Sequence, residues 1–165
     1  MKIVKLFTAV LCLIFTTSLL AQKEVPSLSL KTLDGKTVNL QDYSKDGKIT
    51  VISFWATWCS PCKKELDAIA DYYAEWQEAY DVELIAITID THRALAKVPA
   101  IVETKGWEYT ILSANEQEAQ NALNFQTIPQ TFIIGKNGKI VWDHSGYLPG
   151  DEEELEEEIA TLSKL

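Results

Sequence analysis

The 165-residue chain is 47% hydrophobic and 24% charged, the profile of one ordinary globular domain. Its 24 acidic residues outnumber 15 basic ones, giving a formal net charge of −9. An acidic surface of that size excludes nucleic acid and anionic membrane as expected partners, without identifying the true one.

The first 21 residues differ from the rest. Lys2 and Lys5 precede an apolar run over 6–20, interrupted only by Thr8, Thr16, Thr17 and Ser18, and Ala21 offers a small residue before Gln22. Positive charge, apolar run and small residue, in that order, make a secretory signal peptide. The domain proper is then 22–165. The run is shorter than the roughly 20 apolar residues of a spanning helix, which makes a retained anchor the weaker alternative. Cys12 sits mid-run, whereas a lipid-modified cysteine is expected at the run's end. Cleavage removes Lys2, Lys5 and Cys12, takes the charge from −9 to −11, and leaves Cys59 and Cys62 as the remaining cysteines.

Residues 28–31 and 37–40 read as two short strands joined through Asp34-Gly35, followed by a loop at 45–48. Residues 49–55 are apolar, β-branched and aromatic, a buried strand. The following pattern is helical: Leu66, Ile69, Ala70, Tyr73, Trp76 and Tyr80 recur at three- and four-residue intervals and define a core-facing stripe. Residues 82–89 are a second apolar strand. Asp90-Thr91 can cap a helix over 92–105 that Gly106 ends. Residues 109–112 form a short strand, and Asn115 caps a helix over 116–124. Residues 131–134 and 139–143 make a hairpin around Asn137-Gly138. The last helix covers 151–163, with Leu155, Ile159 and Leu162 buried and a crowd of acids on its solvated face. Alternating strands and helices predict an α/β domain with a parallel core sheet covered on both faces and an antiparallel edge.

Chemistry concentrates where the strand ending at Trp55 meets the helix. Cys59 and Cys62 are spaced i, i+3, on one face of the first turn and within disulfide reach. Free N–H groups and the positive end of the helix dipole stabilise a thiolate there. Pro61 suits the first turn, which needs no N–H. A Cys-x-x-Cys after a strand in a βαβ context is a redox signature. The structural alternative, a staple, closes too short a loop to stabilise much. Zinc would need two more ligands, and His92 and His144 are far apart and lack ligand-like spacing, so no metal is expected.

Phe54-Trp55-Ala56-Thr57-Trp58-Cys59-Ser60-Pro61-Cys62-Lys63 resembles the thioredoxin active site. The run from Cys59 to Glu65 resembles, more narrowly, the TlpA/ResA-type extracytoplasmic thiol–disulfide oxidoreductases. The resemblance implies a thioredoxin fold, a central mixed β-sheet with helices on both faces, here with an N-terminal β-hairpin extension and an inserted α/β segment at about 91–114. Thr127-Ile128-Pro129-Gln130-Thr131-Phe132 is its second signature. It implies a cis bond at Ile128–Pro129 facing the disulfide, with the backbone of Thr127 and Ile128 pairing with substrate as an added strand. Trp55 is expected in the core, and Trp58 on the binding surface beside Cys59, Ser60 and Pro61.

By position, Cys59 at the cap is the attacking thiol and Cys62, a turn deeper, the resolving one. Glu65 continues the strip formed by the two cysteines. Spacing leaves two readings open: a proton acceptor for the resolving thiol, or an acid that complements the dipole. The resemblance implies the first. Thioredoxin instead carries a buried aspartate in the preceding strand, where this chain has Ser53, so that proton path is absent here.

The expected activity is therefore thiol–disulfide exchange, mainly as a reductant of exported proteins, with cytochrome c apoproteins one substrate class that the resemblance implies. A membrane thiol donor would re-reduce the chain, which is expected to act as a monomer outside the cytoplasm, without metal or organic cofactor. A thiol peroxidase and a non-enzymatic binding module with a structural disulfide are the alternatives. Thr57 lies at the wrong spacing from Cys59 for the former, whose chemistry also wants an arginine close by, and the chain's single arginine is Arg93.

Mass spectrometry of the exported protein should find an N-terminus at about Gln22. Recovery of residues 1–21 in a membrane fraction would show a retained anchor.

Overall fold

The computed structural model describes residues 22–165; the proposed signal peptide lies outside the described residues. The elements in chain order are β1 (Lys23–Glu24), β2 (Ser29–Thr32), β3 (Thr37–Asn39), a 3-10 turn (Leu40–Ser44), β4 (Ile49–Trp55), α1 (Ser60–Tyr80), β5 (Val82–Thr88), α2 (His92–Leu95), α3 (Val98–Lys105), β6 (Thr110–Ser113), α4 (Glu116–Leu123), β7 (Gln130–Ile134), β8 (Lys139–Ser145) and α5 (Asp151–Ser163). They build one eight-stranded sheet in the order β1-β8-β7-β4-β5-β6-β2-β3.

β4 is the strand around which the sheet is laid. All seven of its residues are buried, as a strand with helices on both sides requires. It pairs in parallel with β5, which pairs in parallel with β6, and it pairs antiparallel with β7. The parallel core is thus three strands wide. Antiparallel strands flank it on both sides, β7 and β8 on one and the β2–β3 hairpin on the other.

Side chains of β4 alternate between the two faces. Ser53 and Trp55 meet the α1 side: Ser53 bonds Glu65 of α1, and Trp55 stacks edge-on against Trp107 at 5.1 Å. Phe54 meets the opposite side, 4.7 Å from Phe125 just after α4 and 6.2 Å from Phe132 of β7. The helical stripe buries Leu66, Ile69, Tyr73 and Trp76 against the first face, with Leu155 and Ile159 of α5 packed alongside. Among the described residues, no helix is long and apolar enough to cross a membrane.

Two local features depart from expectation, and one expected turn has a second role. The predicted helix over 92–105 is two, α2 and α3, because the ring of Pro99 would meet the carbonyl of Leu95, where α2 ends. β1 carries no strand pattern in sequence; it is held to β8 by pairing, by the Lys139–Glu24 ion pair at 2.9 Å and by the Lys23 ammonium on the Leu123 carbonyl at 3.0 Å. Gly138 closes the last hairpin at φ +74°, and a Cβ there would sit 2.5 Å from the Ser44 carbonyl oxygen, so the turn also seats the 3-10 segment.

Phe54→Ala removes the ring that joins β4 to Phe125 and Phe132. A loss of about 3–5 kcal/mol is expected from denaturant unfolding of the oxidised chain. A loss below about 1 kcal/mol would mean the site collapses around the deletion.

Candidate active site

β4 ends at Trp55, and Ala56, Thr57 and Trp58 carry the chain across to Cys59, the N-cap of α1. The loop is pinned from several directions. The Cys59 amide donates to the Ala56 carbonyl at 3.0 Å, and the Lys63 ammonium donates to the Thr57 carbonyl at 3.0 Å. The buried Asp90 accepts from the Thr57 amide at 2.8 Å, the Thr57 hydroxyl at 2.9 Å and the Thr88 hydroxyl at 2.7 Å. Sequence reasoning placed Asp90 in a helix cap. Instead Thr91 is the N-cap of α2, without a side-chain cap bond, and Asp90 turns back to hold the redox loop. An apolar strand ending in Thr-x-Asp was the available signal.

Cys59 and Cys62 form a disulfide with Cα atoms 5.4 Å apart. The Cys62 amide points at the Cys59 sulfur, 3.2 Å away, which places an orphan helix N–H on the outer sulfur, the kind of donor that stabilises a thiolate. Cys59 keeps 5% of its surface and Cys62 none, so Cys59 is the outer sulfur but far less exposed than a helix cap alone predicts. The reason is the Ile128 carbonyl, 3.9 Å from Cys59 Sγ. The Ile128–Pro129 bond is cis, and the Pro129 carbonyl accepts from the Gly146 amide at 2.9 Å, fixing the β8–α5 loop beside it. Trp58 is 66% exposed. Ser60, Pro61 and Thr127 are also exposed and Ile128 is half-buried, next in the chain to the buried Cys59 and Pro129 or within two residues of them. Trp55 is fully buried.

Glu65 lies one turn beyond Cys62, buried between α1 and the sheet. Ser53 of β4 donates to its Oε2 at 2.8 Å and Thr131 of β7 donates to its Oε1 at 2.7 Å. The registers place Ser53 opposite Thr131, so two paired strands present two hydroxyls to one carboxyl group. Ser53 stands where a thioredoxin aspartate is expected and here acts as a donor to the acid on the helix. Burial pushes the Glu65 carboxyl up from 4.5 to about 7, against the smaller opposing effects of the two hydroxyls and His144. A solvent-facing acid that merely complements the helix dipole has neither this burial nor these partners.

His144 of β8 is directly opposite Thr131 on the adjacent strand. Its Nε2 is 3.2 Å from Asp151 Oδ2 at the start of α5. His92 is exposed on α2. Among the described residues, no group of three or more His, Cys, Asp or Glu side chains is arranged to hold a metal ion.

A parallel–antiparallel sheet with a dithiol at the cap of its central helix, a cis-proline against the outer sulfur and a buried acid one turn deeper define a thioredoxin-like thiol–disulfide oxidoreductase. Comparison with known proteins agrees: residues 21–143 match the AhpC/TSA family, and the chain belongs to it. It is 30% identical over 124 residues to the thiol-disulfide oxidoreductase ResA of Geobacillus thermodenitrificans, covering 75% of this chain and 68% of that one. It is 32% identical to the thioredoxin-like protein YneN of Bacillus subtilis, covering 80% and 75% of the two chains. The solution structure of an uncharacterized thioredoxin-like protein from Porphyromonas gingivalis superimposes with a TM-score of 0.75 at 41% identity, over 86% of this chain and 94% of that one.

The raised Glu65 value has a consequence for stability. The folded chain holds this proton up to about pH 7, while an unfolded carboxyl releases it near 4.5. The folded state therefore binds more protons between those values, and stability falls as pH rises through that window. Glu65→Gln, neutral at every pH, should match the wild type at pH 4 and exceed it at pH 8 by on the order of 1–3 kcal/mol. Urea unfolding of both oxidised chains at the two pH values checks this; equal stability at pH 8 would contradict it.

Proposed function

We propose that this chain is an exported oxidoreductase that reduces disulfides in other exported proteins, with Cys59 as nucleophile, Cys62 as resolving thiol and Glu65 as the acceptor of the Cys62 proton. The observation that carries the reading is the placement of one disulfide between an exposed rim and a buried acid. The rim of Trp58, Ser60, Pro61 and Thr127, with the Ile128 carbonyl beside the sulfur, offers a peptide both apolar contact and a backbone partner for strand addition.

The cycle begins with the reduced pair. The Cys59 thiolate attacks a substrate disulfide sulfur; the substrate S–S bond breaks, and one substrate thiolate leaves. The new bond joins Cys59 to the other substrate sulfur. Cys62 then gives its proton to Glu65 and attacks Cys59 Sγ. The mixed disulfide breaks, its electron pair leaves on the substrate thiolate, and the Cys59–Cys62 bond forms. A membrane thiol donor outside the cytoplasm restores the dithiol. The named relatives support exchange chemistry, and the charged, apolar, small-residue order of 1–21 supports export. Disulfides of cytochrome c apoproteins belong to the substrate class, and the chain is taken to act as a monomer.

Peroxide chemistry on this scaffold fits the site less well. The Thr57 hydroxyl is bonded to Asp90, and the single arginine, Arg93, is on α2, not on the loop or helix that carries Cys59.

Equilibration with glutathione should place the Cys59–Cys62 couple near about −270 mV or below, as for a reductant. A value near about −120 mV would make the chain an oxidant instead. With Cys62→Ser, a mixed disulfide through Cys59 should accumulate; trapping with Cys59→Ser in its place would exchange the two roles.

A further inference from the structure

Glu65 is buried under α1, yet a proton taken from Cys62 must reach water in each turnover. We propose that His144, paired with Asp151, is the outlet: a proton relay that connects Glu65 to solvent. The proposal rests on the reading of Glu65 as proton acceptor.

The path is built from adjacent groups. Thr131 donates to Glu65 at 2.7 Å, and His144 is its cross-strand neighbour on the same face of β8. Between them is a cavity of about 10 Å³ whose polar lining is Glu65, Thr131, His144, Tyr147, Asp151 and Glu152, with apolar walls between them. That volume is at the lower limit for one water, and the polar lining supplies the several partners a water needs. Beyond the cavity the route opens, since the side chains of His144 and Asp151 are 29% and 26% exposed. Glu65 itself keeps only 6% of its surface.

The imidazole is held for the task. Its ring stacks on Trp142 at 5.7 Å, with an interplanar angle of 8°. Asp151 Oδ2 accepts from the Leu148 amide at 2.7 Å and is 3.2 Å from His144 Nε2. An oxygen already accepting one N–H accepts the second as well, so Nε2 carries the hydrogen and Nδ1 keeps its lone pair. The steps balance. The Glu65 carboxyl gives its proton to the bridging water, which gives one to Nδ1; the imidazolium, beside the Asp151 carboxylate, then loses that Nδ1 proton to a solvent water, which restores the Nε2–H tautomer and leaves Glu65 a carboxylate ready for the next proton.

The other titratable groups facing Glu65 are otherwise engaged. Tyr147, from the β8–α5 loop, donates its hydroxyl to Glu152 of α5 at 2.9 Å, and Tyr109, preceding β6, donates to the Leu66 carbonyl at 3.1 Å. Burial pushes Tyr147 up to about 12, and Tyr109 rises further, so neither releases a proton near neutrality. Glu152 accepts from Tyr147 and from the Gly150 amide, which leaves His144 as the group facing the cavity whose two ring nitrogens can pass a proton from one side to the other.

The test uses the reduced 22–165 chain and the aryl disulfide 5,5′-dithiobis(2-nitrobenzoate), which releases one coloured thiolate on Cys59 attack and a second on resolution by Cys62. At pH 7 part of the Glu65 population holds a proton that must leave through His144 before Cys62 can give up its own, so His144→Gln should slow the second release by roughly tenfold, less than the loss of a group that takes the proton directly, with the first release unchanged. Added imidazole should restore the second release in His144→Gln and leave Glu65→Gln slow. Asp151→Asn, which keeps the imidazole but removes its charged partner, should slow the same phase by a smaller factor. An unchanged second phase in His144→Gln alongside a slowed one in Glu65→Gln would overturn the relay and leave the Glu65 reading standing. Loss of both phases together without imidazole rescue would make His144 a packing residue and overturn the relay. Wild-type phases in Glu65→Gln would overturn the Glu65 reading and the relay with it.

Discussion

A carboxyl group enclosed between a helix and a sheet is tolerated only if its oxygens are satisfied and its charge is paired or neutralised. Glu65 meets the first condition through one hydroxyl from each of two paired strands. That requirement reaches far into the fold. Ser53 and Thr131 must face each other across the β4–β7 ladder, so the register of the central antiparallel pair is tied to the acid. α1 must cross at the height that sets its second turn over that pair. The same placement brings the cap of α1 to the end of β4 and Cys59 against the Ile128 carbonyl. Slipping either strand by one residue would turn a hydroxyl to the other face, where Phe54 and Phe125 pack, and leave the acid unsatisfied.

Much of this arrangement was written in local pattern. The β2–β3 hairpin, β4, the long helix, β5 and the final hairpin were legible because their hydrophobic periods are unambiguous and their turns carry Asp-Gly or Asn-Gly. The dithiol was legible because two cysteines at one helix start admit few other roles. What was not legible depends on tertiary partners. β1 is two charged residues whose strand character comes from pairing with β8, not from any propensity of Lys23 and Glu24. Asp90 has the sequence of a cap and the job of a loop clamp, a choice decided by where Thr57 comes to rest. Ser53 was read as the absence of a proton path, since a single position shows only that the aspartate is missing. The structure gives it a different part, as one of two donors to an acid supplied by another element.

The same physics accounts for what this chain shares with its relatives and where it leaves thioredoxin. The fold fixes the strand–loop–helix junction, and fold alone does not decide which chemistry that junction performs. In the cycle proposed above, the proton-handling group does. Moving the acid from the central strand to the helix places it on the same element as the cysteines, so its distance to Cys62 is set by helix geometry and not by sheet packing. Strand hydroxyls then take over the supporting role.

Two electrostatic influences act along one helix and pull the cysteines apart. At the cap, unpaired N–H groups and the positive helix end favour the anionic form of Cys59, and the Cys62 amide is already aimed at that sulfur. One turn deeper, the Glu65 carboxyl opposes a second negative charge, so Cys62 and Glu65 hold a single proton between them more readily than none. An attacking thiol should be ionised before substrate arrives, and a resolving thiol should stay protonated until the mixed disulfide has formed. A dithiol with both sulfurs at the cap would ionise both together. In the proposed cycle, spacing them by three residues, with the acid three residues further, separates the two ionisations in space, and through the site's proton balance it orders them in time.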